Sequence, residues 1–507
     1  MSNPNPPGTD VRMQVLPFWL GFLALTAYAV FIGWHGVVVA GGADSSGYLN
    51  SARLFAAGRM TVDLRAPLEF GPRASLDAVH FLPQGFFPGS DRTRLTPTYP
   101  TGLPLHLAGA GKVFGWSLGP RLVLVLAATS AVWLCYLVAR ELGLSAGLAA
   151  AGAIILGVFP VFLFTSVQTL SDTPATAWSL ATLFAALRSR GHRAWAVAAG
   201  ASLAMAVLVR PTNLLLGPAL LVLLGLDWRR LALFVLGGLP GAAWLAFYNH
   251  ALYGHPLRSG YGGDIFAAFA LSHGAPTALH FAKWLALLLP AVVLILPFAA
   301  LTRGGTRRRE WLALTLGFAA ITGCYAFYEV SHEVWWCLRF ILPAVPALIL
   351  AALLGVEALA RGPGRRWPRA FRGAAALALA LWALGASWYW SPPLGVFMMK
   401  RFEQVYADAS LAARDRLPKN ALVVCSAFSG SLYFYTDFAV LRSDQLEAPS
   451  FAHYSALAHG AGRPVCAVFF QSEEAEAFRR CPGAWTRVAQ IANVGLWQLA
   501  GGRPDPR

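Results

Sequence analysis

The sequence predicts an all-α polytopic membrane protein with a small α/β domain outside the membrane at its C-terminus. Three observations carry this prediction. The chain of 507 residues is 57% hydrophobic and only 13% charged, whereas soluble domains carry about 25% charged residues. About eleven apolar runs are long enough to cross a bilayer as helices. After residue 392 these long runs stop, and short strand and helix patterns replace them.

The apolar runs define a predicted transmembrane domain over residues 1–392. The first run is long and has no small-residue cleavage site, so it is expected to stay as an anchor and not to be removed as a signal peptide. The predicted spans cover residues 13–38, 117–139, 144–164, 171–187, 194–210, 212–226, 231–249, 280–301, 311–328, 338–360 and 373–390.

Basic residues in alternate loops predict the topology. By the positive-inside rule these loops face the cytoplasm, which places the N-terminus inside and the C-terminal domain in the periplasm of a bacterial inner membrane. The same distribution argues against nucleic acid as the partner that the net charge of +16 suggests at first sight. Membrane lipids are the expected surroundings. The basic residues are Arg140, Arg188, Arg190, Arg193, Arg229, Arg230, Arg303, Arg307, Arg308, Arg309, Arg361, Arg365, Arg366, Arg369 and Arg372.

The predicted C-terminal domain, residues 393–507, has the size of a small independent domain. Its pattern predicts a helix over 402–417, strands over 421–425, 465–470 and 494–499, and a charged helix over 472–480. It contains no Gly-rich phosphate loop, nucleophile elbow or metal motif. Its role is therefore left open, with acceptor binding and covering of the site as the two expectations.

The six cysteines do not predict a metal site, because no pair has metal-ligand spacing. Cys425, Cys466 and Cys481 lie in the polar C-terminal part. One disulfide among them would suit an oxidising compartment, but three free thiols are slightly favoured.

Asp44 is the first candidate for chemistry. It opens the longest polar interval of the first 390 residues, a predicted outer loop over residues 41–104 that we call the first loop. Two interpretations remain open. Asp44 with its neighbouring serines has the pattern of a helix N-cap. Equally, a carboxylate at the mouth of a membrane cavity, with its pKa raised by partial desolvation, suits a general base.

Asp172 and Arg339 are the next candidates, at the outer ends of two spans. Asp172 either complements the helix dipole or is a functional acid facing the bundle. Arg339 begins an apolar span, where a lipid-facing arginine would have to reach the membrane surface. A guanidinium there suits bidentate binding of a phosphate.

Six further residues are predicted to bind substrate: Arg94, Tyr99, Arg210, His332, Glu329 and Tyr48. Snorkelling of the arginines and an interfacial belt of aromatic residues are the alternatives. His332 and Glu333 are adjacent, so on a helix their side chains diverge by about 100° and a shared metal site is not expected. No cofactor or metal ligand is predicted, although a requirement for a divalent metal stays open.

An ordered set of short motifs resembles the GT-C glycosyltransferases of the protein O-mannosyltransferase and aminoarabinose-transferase type. The resemblance covers roughly residues 13–360, and the order of the motifs carries it, since each one alone is degenerate. The motifs are Ala43-Asp44-Ser45-Ser46-Gly47-Tyr48, Thr98-Tyr99-Pro100-Thr101-Gly102-Leu103-Pro104, Leu170-Ser171-Asp172-Thr173-Pro174, Arg210-Pro211-Thr212-Asn213, Asn249 with Tyr253-Gly254-His255-Pro256, and Arg339-Phe340-Ile341-Leu342-Pro343.

The resemblance implies an inverting transfer of a sugar from a polyprenyl-phosphate donor to an acceptor hydroxyl at the outer face. Carried over, Asp44 is the base and Asp172 a second acid near the sugar or acceptor. Arg339 is then the first candidate for the phosphate contact, and Arg94 and Arg210 are the next candidates. Ser45 stands where the family often has a second acid, and Thr98-Tyr99-Pro100 replaces a common lysine. These departures argue against the aminoarabinose branch.

A transporter or flippase for a lipid-linked or anionic substrate is the competing prediction. Such proteins tend to show internal repeats and helices broken near the midplane. No convincing repeat is present, and the candidate charges lie at the outer ends of spans, which favours chemistry at the membrane surface.

Overall fold

A computed structural model of the protein describes residues 9–89, 93–261, 263–302, 307–361 and 368–500. Arg303, Arg365 and Arg366 lie outside these residues. The helices are α1 Thr9–His35, α2 Ala43–Ala56, α3 Gly102–Phe114, α4 Gly119–Glu141, α5 Ala146–Val158, α6 Pro160–Ser166, α7 Asp172–Arg188, α8 Trp195–Val209, α9 Gly217–Leu224, α10 Trp228–Tyr253, α11 Gly274–Leu288, α12 Leu296–Thr302, α13 Arg308–Ala326, α14 Val345–Ala360, α15 Pro368–Trp390, α16 Met399–Arg416, α17 Ser429–Tyr435, α18 Ala448–Gly460 and α19 Gln471–Arg480.

The strands are β1 Val62–Asp63, β2 Phe86–Pro88, β3 Arg94–Pro97, β4 Leu422–Cys425, β5 Ala439–Arg442, β6 Val465–Phe470, β7 Trp485–Ile491 and β8 Val494–Leu499. Short 3-10 segments link several helices, and the one over Trp335–Ala344 leads directly into α14.

The predicted helical membrane fold is confirmed, but the count of about eleven spans is not. Among the described residues, α4, α10, α15 and the continuous segment Trp335–Ala360 are long and apolar enough to cross a membrane. A fifth span results if α5 and α6, which meet at a bend of 60°, are counted together. Several predicted spans are broken where proline removes a backbone donor, as between α5 and α6 at Pro160.

The segment Trp335–Ala360 forms the centre of the bundle. Within its apolar window 89% of the residues are buried, against 6% in α10. An apolar helix with so little burial is expected to face lipid. Arg339 belongs to this segment and therefore lies in the protein interior, where a charged group is stable only when it is paired with an opposite charge.

Ion pairs tie together the ends of the helices that carry the basic loops. Arg188 at the end of α7 lies 2.8 Å from Glu141 at the end of α4. Glu357 near the end of α14 accepts hydrogen bonds from Arg361 and Arg372, each at 2.8 Å. The first contact holds the C-terminal ends of α4 and α7 together, and the second joins the end of α14 to the start of α15.

The C-terminal domain contains a five-stranded sheet in the order β5-β4-β6-β8-β7. Strands β5, β4 and β6 are parallel, and α17 and α18 lie between them in sequence, whereas β8 and β7 join antiparallel. The prediction of a small α/β domain after the spans is confirmed. The pattern missed β5, β7, α17 and α18.

The first loop and the C-terminal sheet share one hydrophobic core. Leu64 and Leu95 of the loop are fully buried in the same cluster as Leu441 and Val465 of the sheet. Arg463 next to β6 also pairs with Glu69 of the loop at 2.9 Å. The predicted division at residue 392 placed the loop with the spans. That boundary stays a prediction, but the loop depends on the sheet for its interior.

Leu95→Ala should destabilise the first loop and the C-terminal domain together. Truncation of a fully buried leucine to alanine lowers the free energy of unfolding by about 2–5 kcal/mol. Because the two parts share one core, both should lose stability. Thermal unfolding and limited proteolysis of the purified full chain measure the effect. Leu68→Ala is the matched control, because Leu68 is 80% exposed. Equal stability of the two variants would contradict the shared core.

Candidate functional site

Two carboxylates and two guanidiniums from four separate elements meet at one end of the bundle. Asp44 lies in the first turn of α2 and Asp172 begins α7. Arg210 directly follows α8, and Arg339 lies just ahead of α14. Since α7 runs from Asp172 to Arg188, the cluster lies at the end of the bundle opposite the basic loops.

Arg339 joins the two acids. Its Nη2 lies 2.8 Å from Oδ2 of Asp44, and its Nη1 lies 3.9 Å from Oδ2 of Asp172. The Asp172 carboxylate is also paired with Arg210. The side chain of Asp44 is 28% exposed, whereas that of Asp172 is 2% exposed. Asp44 is therefore the acid that a substrate can reach, and Asp172 is the buried partner of both arginines.

Asp44 does not cap its own helix. The N-cap of α2 is Gly42, which contributes no side-chain hydrogen bond to the first turn. The carboxylate of Asp44 turns to Arg339 instead. Of the two interpretations that the sequence left open, the cap is therefore wrong, while the role of base stays a prediction.

The pKa of Asp44 is lowered, not raised as expected for a base in a partly desolvated position. Burial disfavours the charged form, but the positive charge of Arg339 and hydrogen bonds from Tyr99 and Arg339 outweigh it. Together they hold the pKa of Asp44 below its ordinary value. In this arrangement Asp44 is negatively charged at neutral pH.

Tyr99 reaches Asp44 because α2 carries a glycine at the crossing point. A Cβ on Gly47 would lie 2.3 Å from the ring of Tyr99 and 2.9 Å from the Cα of Gly85. The ring of Tyr99 packs 4.7 Å from that of Tyr48 and 6.3 Å from that of Tyr261. Two predicted substrate-binding residues, Tyr48 and Tyr99, thus line the side of Asp44.

Arg210 is held by aromatic rings as well as by Asp172. Its guanidinium carbon lies 5.7 Å from the ring centroid of Tyr325 and 5.6 Å from that of Phe340, within the range of cation–π attraction. Sequence reasoning missed Tyr325. At the end of an apolar run, its position suggests an interfacial belt, and nothing in the pattern marks it as a partner of Arg210.

Two other predicted site residues, Arg94 and His332, contact residues outside this cluster. Arg94 in β3 pairs with Asp63 at 3.9 Å and is 59% exposed. The Nδ1 of His332 lies 3.3 Å from the hydroxyl of Thr277, and Glu329 is exposed. Their roles in substrate binding stay predictions.

No metal site is evident in the part of the chain that the structure describes, where no group of three or more His, Cys, Asp or Glu side chains could hold an ion. The question of a metal requirement stays open. All six cysteines are free thiols in this structure, in line with the favoured expectation.

Residues 103–248 match the family model of dolichyl-phosphate-mannose-protein mannosyltransferase. ArnT from Cupriavidus metallidurans bound to undecaprenyl phosphate superposes with a TM-score of 0.61 and 14% identity, over 96% of this chain and 99% of that one. The archaeal oligosaccharyltransferase AglB from Archaeoglobus fulgidus, in complex with an inhibitory peptide and a dolichol-phosphate, superposes with a TM-score of 0.51 and 14% identity. The match covers 97% of this chain and 75% of that one. The chain has the GT-C fold.

Arabinofuranosyltransferase AftD from Mycobacteria is a third similar structure, with a TM-score of 0.50 and 13% identity over 90% of this chain and 40% of that one. No curated protein sequence matches the chain. The predicted resemblance to GT-C enzymes is confirmed. The family match and the shared fold indicate an integral membrane glycosyltransferase, which favours the enzyme over the transporter.

Arg210→Met should destabilise the protein by about 3–5 kcal/mol, because it removes the close partner of a buried carboxylate. Arg414→Met is the control, since the Arg414–Asp415 pair is more than half exposed and such pairs contribute about 0–1 kcal/mol. Chemical unfolding of the purified full chain measures both. An Arg210 variant no less stable than the control would show that Asp172 does not depend on this pair.

Proposed function

We propose that the protein is an inverting glycosyltransferase that moves a hexosyl or pentosyl group from a polyprenyl-phosphate donor to an acceptor hydroxyl. The site faces the outer side of a bacterial inner membrane, with the N-terminus in the cytoplasm and the C-terminal domain in the periplasm. The observation that carries the proposal is the placement of Arg339 between an accessible acid and a buried one.

Arg339 keeps one donor group available for a further anionic ligand. Its Nε is buried and has no hydrogen-bond partner among the described residues. An unsatisfied buried donor costs about 1–3 kcal/mol, and a phosphate oxygen would satisfy it with a charge-assisted bond. Undecaprenyl phosphate in ArnT and dolichol-phosphate in AglB are ligands of the chemical class that we assign to this chain.

Donor binding also activates the base. While Asp44 is paired with Arg339, its low pKa makes it a weak proton acceptor, since proton transfer is most effective when the pKa lies near the working pH. A donor phosphate competes for the same guanidinium. As the phosphate draws Arg339 away, Asp44 loses its main positive neighbour and its pKa rises.

In the proposed reaction these groups act together as follows. The acceptor oxygen attacks the anomeric carbon on the face opposite the phosphate, which inverts that centre. The bond from the anomeric carbon to the phosphate oxygen breaks, and its electron pair stays on the polyprenyl phosphate, where Arg339 stabilises the charge. Asp44 accepts the hydroxyl proton of the acceptor.

Asp172 has a positioning role in this proposal. It is almost fully buried and is paired with both Arg210 and Arg339, so it fixes the guanidinium that meets the phosphate. Tyr48, Tyr99 and Tyr261 provide ring faces and hydroxyl groups beside Asp44, which suits the binding of a sugar ring.

The topology rests on the same geometry. The cluster lies at the end of the bundle opposite Arg188 and the other basic loops, and basic loops are expected in the cytoplasm. A donor with a polyprenyl tail would enter from the outer leaflet, where its phosphate lies at the depth of the helix ends.

Asp44→Asn should lower sugar transfer by about 10²–10⁴-fold, the usual contribution of a general base. The assay measures release of undecaprenyl phosphate from a panel of undecaprenyl-phosphate hexoses and pentoses, incubated with membrane extract as the source of acceptor. Stabilisation of the variant by undecaprenyl phosphate should persist, because Arg339 remains.

Asp63→Asn is the matched control, since Asp63 lies in the same loop with its side chain 66% exposed. It should transfer sugar like the unmodified protein. Full activity of Asp44→Asn would remove Asp44 from the chemistry.

Tyr99→Phe should move the acid limb of the kcat/KM profile to higher pH. The hydrogen bond from Tyr99 lowers the pKa of Asp44, so its loss raises that pKa. A base is active above its pKa and loses activity as the pH falls through it. The unmodified protein should therefore keep its activity to a lower pH than the variant.

The control for this shift is Tyr454→Phe, which removes a hydroxyl that contacts His80 in the shared core and not Asp44. Identical acid limbs for Tyr99→Phe and the control would contradict the contact with Asp44.

A further inference from the structure

The C-terminal domain holds α2 along one side. The N–H of Ala40, just before the helix, donates to the hydroxyl of Tyr435 at 3.1 Å. Further along, Nδ2 of Asn50 donates to the carbonyl of Gly430 at 3.0 Å, and Arg53 donates to the carbonyl of Phe434 at 3.0 Å. The helix that carries Asp44 is thus fixed by residues that lie more than 370 positions later in the chain.

Glu403 adds the contact nearest to Asp44. It lies in the second turn of α16, and its carboxyl group packs against Gly41 and Gly42, within hydrogen-bonding reach of the backbone of Gly42 and the side chain of Ser45. In a capping box, a Glu or Gln at the third helical position accepts from the N–H of the N-cap residue. Ser45 occupies that position in α2, and the carboxyl group of Glu403 takes the place of the missing Glu at Gly42.

The chain leaves space for this carboxyl group at Gly41. A Cβ on Gly41 would lie 1.9 Å from Oε2 of Glu403, closer than any atom could approach. The backbone of Gly41 is outside the left-handed region, so the requirement for glycine here comes from space and not from conformation. Gly41 and Glu403 therefore fit each other.

The carboxyl group is also placed where its charge matters. Oε2 is buried and has no hydrogen-bond partner among the described residues. Burial raises the pKa of Glu403, and the negative charge of Asp44 adds to the rise. The raised pKa favours the protonated form of Glu403, which repels the carboxylate of Asp44 less than the charged form does.

We propose that Glu403 is a positioning residue for the reaction at Asp44. It holds the first turn of α2 through Gly42 and Ser45, and so fixes the position of the Asp44 carboxylate in the site. The kinetic consequence rests on the proposed function, whereas the contact itself does not.

Hydrogen exchange of the full-length protein tests the contact without any assay of activity. In Glu403→Ala, amides at the start of α2 should exchange about five- to thirtyfold faster, as expected for the loss of a cap. Glu447→Ala is the control, because Glu447 lies in the same domain with its side chain 82% exposed. Unchanged exchange in Glu403→Ala would overturn the proposal, whatever reaction the protein performs.

Kinetics test the consequence for the reaction. Glu403→Ala and Gly41→Ala should each lower kcat about tenfold or more with KM for the donor nearly unchanged, because misplacement of a reacting group acts mainly on the chemical step. The double variant should be no worse than either single one, since both break one contact. Glu403→Gln should restore most of kcat, because its amide oxygen still accepts from Gly42.

Gly460→Ala is the control for a glycine substitution, since a Cβ there meets open space. Additive effects of Gly41→Ala and Glu403→Ala, or a loss in KM with kcat intact, would overturn the positioning role. If the unmodified protein transfers no sugar, the proposed function fails, and the exchange experiment still decides whether Glu403 holds α2.

Discussion

The ion pairs of Arg339 with Asp44 and Asp172 are the interaction on which the architecture of the site depends. Taking such charges out of water costs several kcal/mol each, and only close partners offset this cost. Four elements must therefore end at one place: α2, α7, α8 and the segment before α14. The same requirement serves chemistry, because groups held this firmly need little reorganisation when a substrate binds.

The sequence predicted the fold where one local pattern decides the structure. The helices α16 and α19 and the strands β4, β6 and β8 were predicted from periodicity and composition. Spans were counted less well, because hydropathy shows that a run is apolar but not whether it stays straight. Proline at 160 turns one predicted span into two short helices at 60°. Strand β5 was missed because its four residues depend on pairing with β4.

Several residues of the site were predicted individually, but their meeting at one place in the fold was not predicted. Asp44, Asp172 and Arg339 each stand out as charges at the ends of apolar runs. Their meeting depends on how distant helices pack, which no local pattern encodes. Tyr325 and Glu403 were missed for the same reason: each has an ordinary local setting and gains its importance from a partner far away in the chain. Arg94 was chosen for its charge, and the structure pairs it with Asp63.

The shared core of the first loop and the C-terminal sheet sets an order of events during biosynthesis. The ribosome makes the first loop early, yet Leu64 and Leu95 are buried against strands that are made last. Until the residues beyond 422 have been made, this loop has no complete interior, and α2 lacks its contacts with the C-terminal domain. The first loop can therefore complete its hydrophobic core only after the last strands of the chain have been synthesised.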